Sequence, residues 1–267
     1  MIESVSWIQA AASLVLVALT MAVGWWLRLG ITRQLVVASA RAAVQLVAVG
    51  VLFGFIVASS QAMALAWLWV AIMIGVTATV ARRRAPTLPN GPLIAALAVV
   101  ATVGLCLLIV FGLGIIDYEP VNLIVVAGIT IGNTLPALVL SSKQTINAAV
   151  AERGQIEALM ASGMTTMQIV QQVGGPIARL ALVPQIERTN VVGLIALPGA
   201  MTGLLLAGVA PRDAVLIQLV VMYLVLGAVA LSVVVTVTLG IRSLFTPALT
   251  LLAVDELQAP SPERARR

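Results

Sequence analysis

Long stretches without a single charge constrain this chain more than any other feature. No Asp, Glu, Lys or Arg occurs from Val5 to Leu27, from Ala42 to Ala81, from Ala85 to Ile116, or from Ala214 to Ile241. About 20 apolar residues, rising 1.5 Å each, cross the roughly 30 Å hydrocarbon core of a bilayer as one helix, which satisfies every backbone N–H and C=O internally where water cannot. Composition agrees: 61% of residues are hydrophobic and 9% charged, whereas soluble domains carry about 25% charged residues. The sequence therefore predicts an all-α, polytopic integral membrane protein.

Spans are expected near 5–27, 36–58, 62–81, 93–116, 121–141, 191–209 and 214–240, about seven in all. The first lacks a positive n-region and is too long for an h-region, so it reads as a retained span and not a signal peptide. Residues 1–254 then form a single transmembrane domain with a long loop at 142–190, and the polar tail 255–267 is expected to be disordered. With the N-terminus outside and the C-terminus inside, all of the 15 Lys and Arg residues except Arg212 fall on the inner side. That asymmetry is the positive-inside pattern of a cytoplasmic (inner) membrane protein, and it makes the 142–190 loop cytoplasmic.

The net charge of +5 would suggest a nucleic-acid partner in a soluble protein. Here it reports orientation, so lipid and not nucleic acid is the expected surroundings. Cys106 is the sole cysteine and histidine is absent, which excludes an intrachain disulfide, a histidine general base and the common zinc sites. The ligands of any metal are left open, with Asp117, Glu119 and Asp213 on the outer side as candidates to receive a cation at the exit.

Polar residues inside spans are costly in hydrocarbon and are the default candidates for a transport path. They are Arg41 and Gln45, four apart on one helix face, Asn133 beside Thr130 and Thr134, Gln218, and the pair Met201 and Thr202 after Pro198-Gly199. The alternative reading is structural: Arg41 snorkels to headgroups, the amides bond neighbouring helices and Pro198 merely kinks its helix. No Asp or Glu lies within a span, which disfavours a tightly held bare cation and favours a weakly held or complexed ion or a neutral solute; it also disfavours an ion-coupled secondary transporter, one of two rival functions. The other rival is a non-transport membrane assembly factor. Glycines four apart at Gly50/Gly54, Gly128/Gly132 and Gly199/Gly203 are candidate close-contact faces.

The loop carries an amphipathic pattern from Gln155 to Val173, with Ile156, Leu159, Met160, Gly163, Met167 and Val170 on one face and Glu152, Arg153, Glu157 and Gln168 marking the other. Poor in Lys and Arg, it suits a groove on another protein better than lipid headgroups. Its residues Glu157-Ala158-Leu159-Met160-Ala161-Ser162-Gly163, followed after nine residues by Val173-Gly174-Gly175-Pro176, resemble the EAA loop of ABC importer permeases. In that resemblance Glu157 and Ala158 meet an ATPase subunit, Gly163 permits a turn, and Met160 and Met164 fill an apolar pocket. Across most of its length the chain further resembles the FetB family of iron-export permeases, related to plant aluminium-tolerance permeases. The segments that carry it are Arg41–Leu46, Gly128–Asn133 and Leu197–Gly203, with Ala207–Pro211 and Ala214-Val215.

The resemblance implies an ABC ATPase partner and a second copy of the chain, the latter favoured also by closed symmetry. No phosphate-cradling Gly-rich loop with Lys occurs, and Lys143, the single lysine, stands in Ser141-Ser142-Lys143-Gln144. The chain is thus expected to be a permease subunit and no enzyme, binding no cofactor itself, with ATP held and hydrolysed on the partner.

Overall fold

A computed structural model describes residues 12, 14–85, 87–246 and 250–252. The helices are α1 (Leu14–Trp26), α2 (Thr32–Ala58), α3 (Ala62–Arg84), α4 (Gly91–Gly112), α5 (Pro120–Ala151), α6 (Arg153–Ala161), α7 (Thr166–Asn190), α8 (Gly199–Leu206) and α9 (Pro211–Ser243). Five of them, α2, α3, α4, α5 and α9, are long and apolar enough to cross a membrane, and α1 is a shorter apolar helix. The polytopic all-α class is thereby established. The expected tail at 255–267 lies outside the described residues.

Local chemistry sets the helix starts. Pro120 and Pro211 open α5 and α9, where the ring presets φ and the missing N–H has no partner to lose. Asp213 in the first turn of α9 and Arg242 in its last complement the helix dipole. At one end Trp67 donates through Nε1 to the Tyr118 hydroxyl at 2.9 Å, and the Tyr118 and Phe111 rings pack edge to face at 5.1 Å. Such amphipathic aromatics suit the membrane–water boundary.

The core has two parts. Ala66 and Val70 of α3, Ala98 and Val99 of α4, and Leu123 and Ala127 of α5 form one. Ile146 of α5, Ile169, Val173 and Ile177 of α7, and Val229, Val233 and Val237 of α9 form the other, which Ile156 of α6 joins. By contrast, Ile56 is the one buried residue of α2, so this helix lies at the periphery. Small residues set the closest approaches. A Cβ on Gly174 would meet Val237 Cγ1 at 3.2 Å, and one on Gly240 would meet Thr145 Cγ2 at 3.4 Å, which draws α7 and α5 tightly onto α9. Neither Gly50, Gly54, Gly128, Gly132, Gly199 nor Gly203 has a neighbour within 4 Å of an added Cβ, so these three pairs make no close contact among the described residues.

Many buried hydroxyls bond back to their own helix, although Ser232 Oγ and Thr236 Oγ1 of α9 have no partner among the described residues. Thr102 donates to Ala98 O at 2.7 Å, Thr130 to Val126 O at 2.8 Å, Ser142 to Leu138 O at 2.8 Å and Thr145 to Ser141 O at 2.9 Å. This backward bonding lets Ser and Thr enter a lipid-facing fold at small expense.

Three sequence expectations need correction. The sixth span, 191–209, is not a continuous helix: Val191 to Pro198 form an irregular turn with a Val192–Ala196 bridge and Gly193 at φ +87°, and only Gly199–Leu206 is helical. Pro198, at the N-cap of α8 in extended geometry, cannot donate to a preceding helical turn and so breaks the run. Second, 142–190 is not one loop. Residues up to Ala151 continue α5, and α7 returns through the bundle, with Met167 touching Arg242 near one end of α9 and Thr189 touching Met222, about 30 Å further along that helix. Between α5 and α9 the chain therefore runs back along the bundle as α7, with the broken segment after it. Arg179 and Arg188 lie on this helix and not on a loop.

Third, the amphipathic run from Gln155 to Val173 is two helices and not one. Gly163, at φ +83°, follows the C-cap of α6. Its N–H donates to Met160 O at 2.9 Å and the N–H of Met164 to Leu159 O at 3.2 Å, the pair of bonds that closes a helix on a left-handed glycine. Two residues on, Thr165 and Gln168 form a reciprocal capping box that opens α7.

Candidate functional site

A cavity of about 420 Å³ opens where α5, α7 and α9 meet the broken segment. Asn133 reaches it from α5, Gln185 and Arg188 from the last turns of α7, and Gln218 and Met222 from α9. The broken segment borders it through Val191, Val192 and the residues from Ala196 to Ala200, including Pro198, while Leu194 and Ile195 between them are exposed on the outside.

The polar groups differ in how far the protein satisfies them. Asn133 donates through Nδ2 to Ile129 O at 2.8 Å, one turn back. Gln185 is buried, and its main-chain carbonyl accepts from Thr189 Oγ1 at 2.9 Å. Gln218 is 7% exposed, yet its Oε1 has no hydrogen-bond partner. Arg188 is exposed to the cavity and makes no ion pair among the described residues. No Asp or Glu lines the space.

Of the expected path residues, the structure thus brings together Asn133 and Gln218. Arg41 and Gln45 lie exposed on peripheral α2, and Met201 and Thr202 sit on α8, where Thr202 bonds back to Pro198 O at 3.1 Å. Sequence reasoning did not select Gln185 and Arg188, because their helix was read as a loop. A signal for it exists: Ile169, Val170, Val173, Gly174, Ile177 and Ala181 form a helical stripe that ends at Gln185.

The second candidate surface is α6. Ile156 is buried, while Leu159, Met160 and Met164 pack against the same core. The two methionines therefore face the chain's own bundle. Glu157, Ala158, Ala161 and Ser162 are exposed, and Glu157 pairs with Arg153 at 2.8 Å. Helix α6 thus packs its apolar side on the chain's own bundle and leaves a face of acidic and small residues exposed.

A family model described as "Uncharacterised protein family (UPF0014)" matches residues 7–245. The chain belongs to this family. Among relatives of this UPF0014 chain, "UPF0014 membrane protein STAR2" of Oryza sativa subsp. japonica is 32% identical, covering 92% of this chain and 86% of that protein. "Protein ALUMINUM SENSITIVE 3" of Arabidopsis thaliana is 28% identical over 90% and 88%. "Probable iron export permease protein FetB" of Escherichia coli (strain K12) is 26% identical over 88% and 90%. The resemblance seen in the residue segments is thereby shown. No solved structure matches the chain.

Proposed function

We propose that this UPF0014 member is the membrane permease subunit of an ATP-driven ABC transporter. It works as two copies with a separate ATPase and moves a metal ion such as iron outward across the cytoplasmic membrane. The observation that carries this reading is α6: a nine-residue helix between two long bundle helices, anchored by Ile156 and presenting Glu157, Ala158, Ala161 and Ser162 outward. The UPF0014 relative named as an iron export permease supports the transport class and its cargo. Hydrolysis is assigned to the partner because the chain lacks a phosphate-cradling lysine loop.

In this reading the α6 end is cytoplasmic, and the cavity by Asn133, Gln185 and Gln218 lies on the path nearer the outer face. Co-expression of the tagged chain with a candidate ABC ATPase tests the coupling. The ATPase should co-purify with the wild type, and its recovery should fall about tenfold or more with Glu157→Arg, as for losing a charge-assisted contact. Equal recovery in both would overturn the assignment of α6.

A further inference from the structure

The cavity's charge is at odds with a bare cation as its occupant. Among the described residues Arg188 brings a guanidinium to the space, no acidic residue lines it, and no group of three His, Cys, Asp or Glu side chains comes together. A hard cation entering here would meet a like charge and no carboxylate, contrary to what such ions need. The neutral lining points the same way. Gln218, more than nine-tenths buried, keeps Oε1 without a partner, as do Ser232 Oγ and Thr236 Oγ1 further along α9; of the three only Gln218 lines this cavity, where a turn of its side chain brings Oε1 to a donor from outside the protein. Asn133 and Gln185 add amides able to donate and accept.

We propose that this cavity binds a small hydroxylated organic anion of the hydroxycarboxylate class, free or holding a metal ion, with Arg188 taking the carboxylate and Gln218 Oε1 accepting from a hydroxyl. The proposal rests on the permease reading and names its solute. About 420 Å³ suits a small organic molecule. Cargo metal would then pass as an anionic chelate, so the protein needs no carboxylate of its own.

Equilibrium binding to the purified full chain in neutral detergent tests this with four probes: citrate, ferric citrate, Fe²⁺ alone and uncharged glucose. Citrate or ferric citrate should bind and glucose should not. Arg188→Gln should weaken binding about tenfold, the size of a lost charge-assisted hydrogen bond. Gln218→Leu should also weaken it, and Arg188→Lys should retain most of it, with all variants eluting like the wild type. Equal binding of citrate and ferric citrate would place recognition on the anion, and binding of ferric citrate alone would identify the chelate as the solute. Fe²⁺ binding untouched by Arg188→Gln, no citrate binding in either form, or a co-purifying phospholipid lost in Arg188→Gln would overturn the proposal. Because the assay uses the permease alone, its failure with ATPase capture intact removes only the solute, whereas lost capture with intact binding removes only the coupling.

Discussion

Arg153 spans one turn of α6 to hold Glu157 at 2.8 Å and, through its other arm, donates to the carbonyl of Leu252 at 2.8 Å. One guanidinium thus ties the short helix to the segment after α9. The ion pair is partly exposed, 29% on Arg153 and 50% on Glu157, so solvent screens it and an (i, i+4) pair of this kind contributes only about 0.3–0.5 kcal/mol.

Glu157 can therefore change partners easily. Glu157→Arg should leave thermal unfolding nearly unchanged while the ATPase is lost. Arg153→Ala should lower the melting temperature more, because it also frees the Leu252 carbonyl. Thermal melts beside capture assays check the contrast, and a Glu157→Arg variant that melts far below Arg153→Ala would sink it.

Gly163 and Gly154 predict opposite signs. Gly163 holds φ +83°, where a side chain costs about 1–2 kcal/mol, so Gly163→Val should destabilise by that much and Gly163→Asn by less. Gly154 is a helical residue of α6 with open space around a built Cβ. Gly154→Ala should stabilise by about 0.5–1 kcal/mol. Denaturation of the detergent-solubilised chain reads both.

Gly174 is the test of how α7 sits. An added Cβ would lie 3.2 Å from Val237 Cγ1 and 3.5 Å from Ile241 Cδ1, so Gly174→Val should overpack the contact and destabilise by about 1–3 kcal/mol. Val237→Ala in the same chain should recover part of the loss, and a double-mutant cycle measures the coupling. Additive effects would mean that α7 and α9 do not meet there.

Sidedness follows from single cysteines. Cys106 is buried, so Cys106→Ala gives a background without thiols. Ser162→Cys, beside the exposed end of α6, should react with a membrane-impermeant maleimide only after cells are opened, and Arg212→Cys, at the start of α9, should react in intact cells. The reverse pattern would turn the protein over in the membrane and remove α6 from any cytosolic ATPase.

Much of this fold was legible because lipid imposes a simple rule. Helices α2 to α5 and α9 announce themselves by long apolar runs, and Asn133 and Gln218 are among the path candidates within spans, beside Arg41, Gln45, Met201 and Thr202, which do not line the cavity. The passage through α7 was not legible by that rule. Gln171, Gln172, Arg179, Glu187 and Arg188 make it look like a loop, yet its narrow stripe of Ile, Val, Gly and Ala is enough to pack on α9. Hydropathy averages over all sides of a helix, whereas burial depends on one. The same averaging made 191–209 look like a span, although Gly193 and Pro198 interrupt it. Arg188, which gives the cavity its charge, was visible only once α7 was placed.

The corner between α6 and α7 has a mechanical meaning. Four residues, from Ser162 to Thr165, separate the two helices, and a glycine-closed end on one side and a capping box on the other leave no slack between them. Force applied to Glu157 has no floppy tether in which to dissipate. It enters the base of α7 directly, and the far tip of that rod carries Gln185 and Arg188 against the cavity.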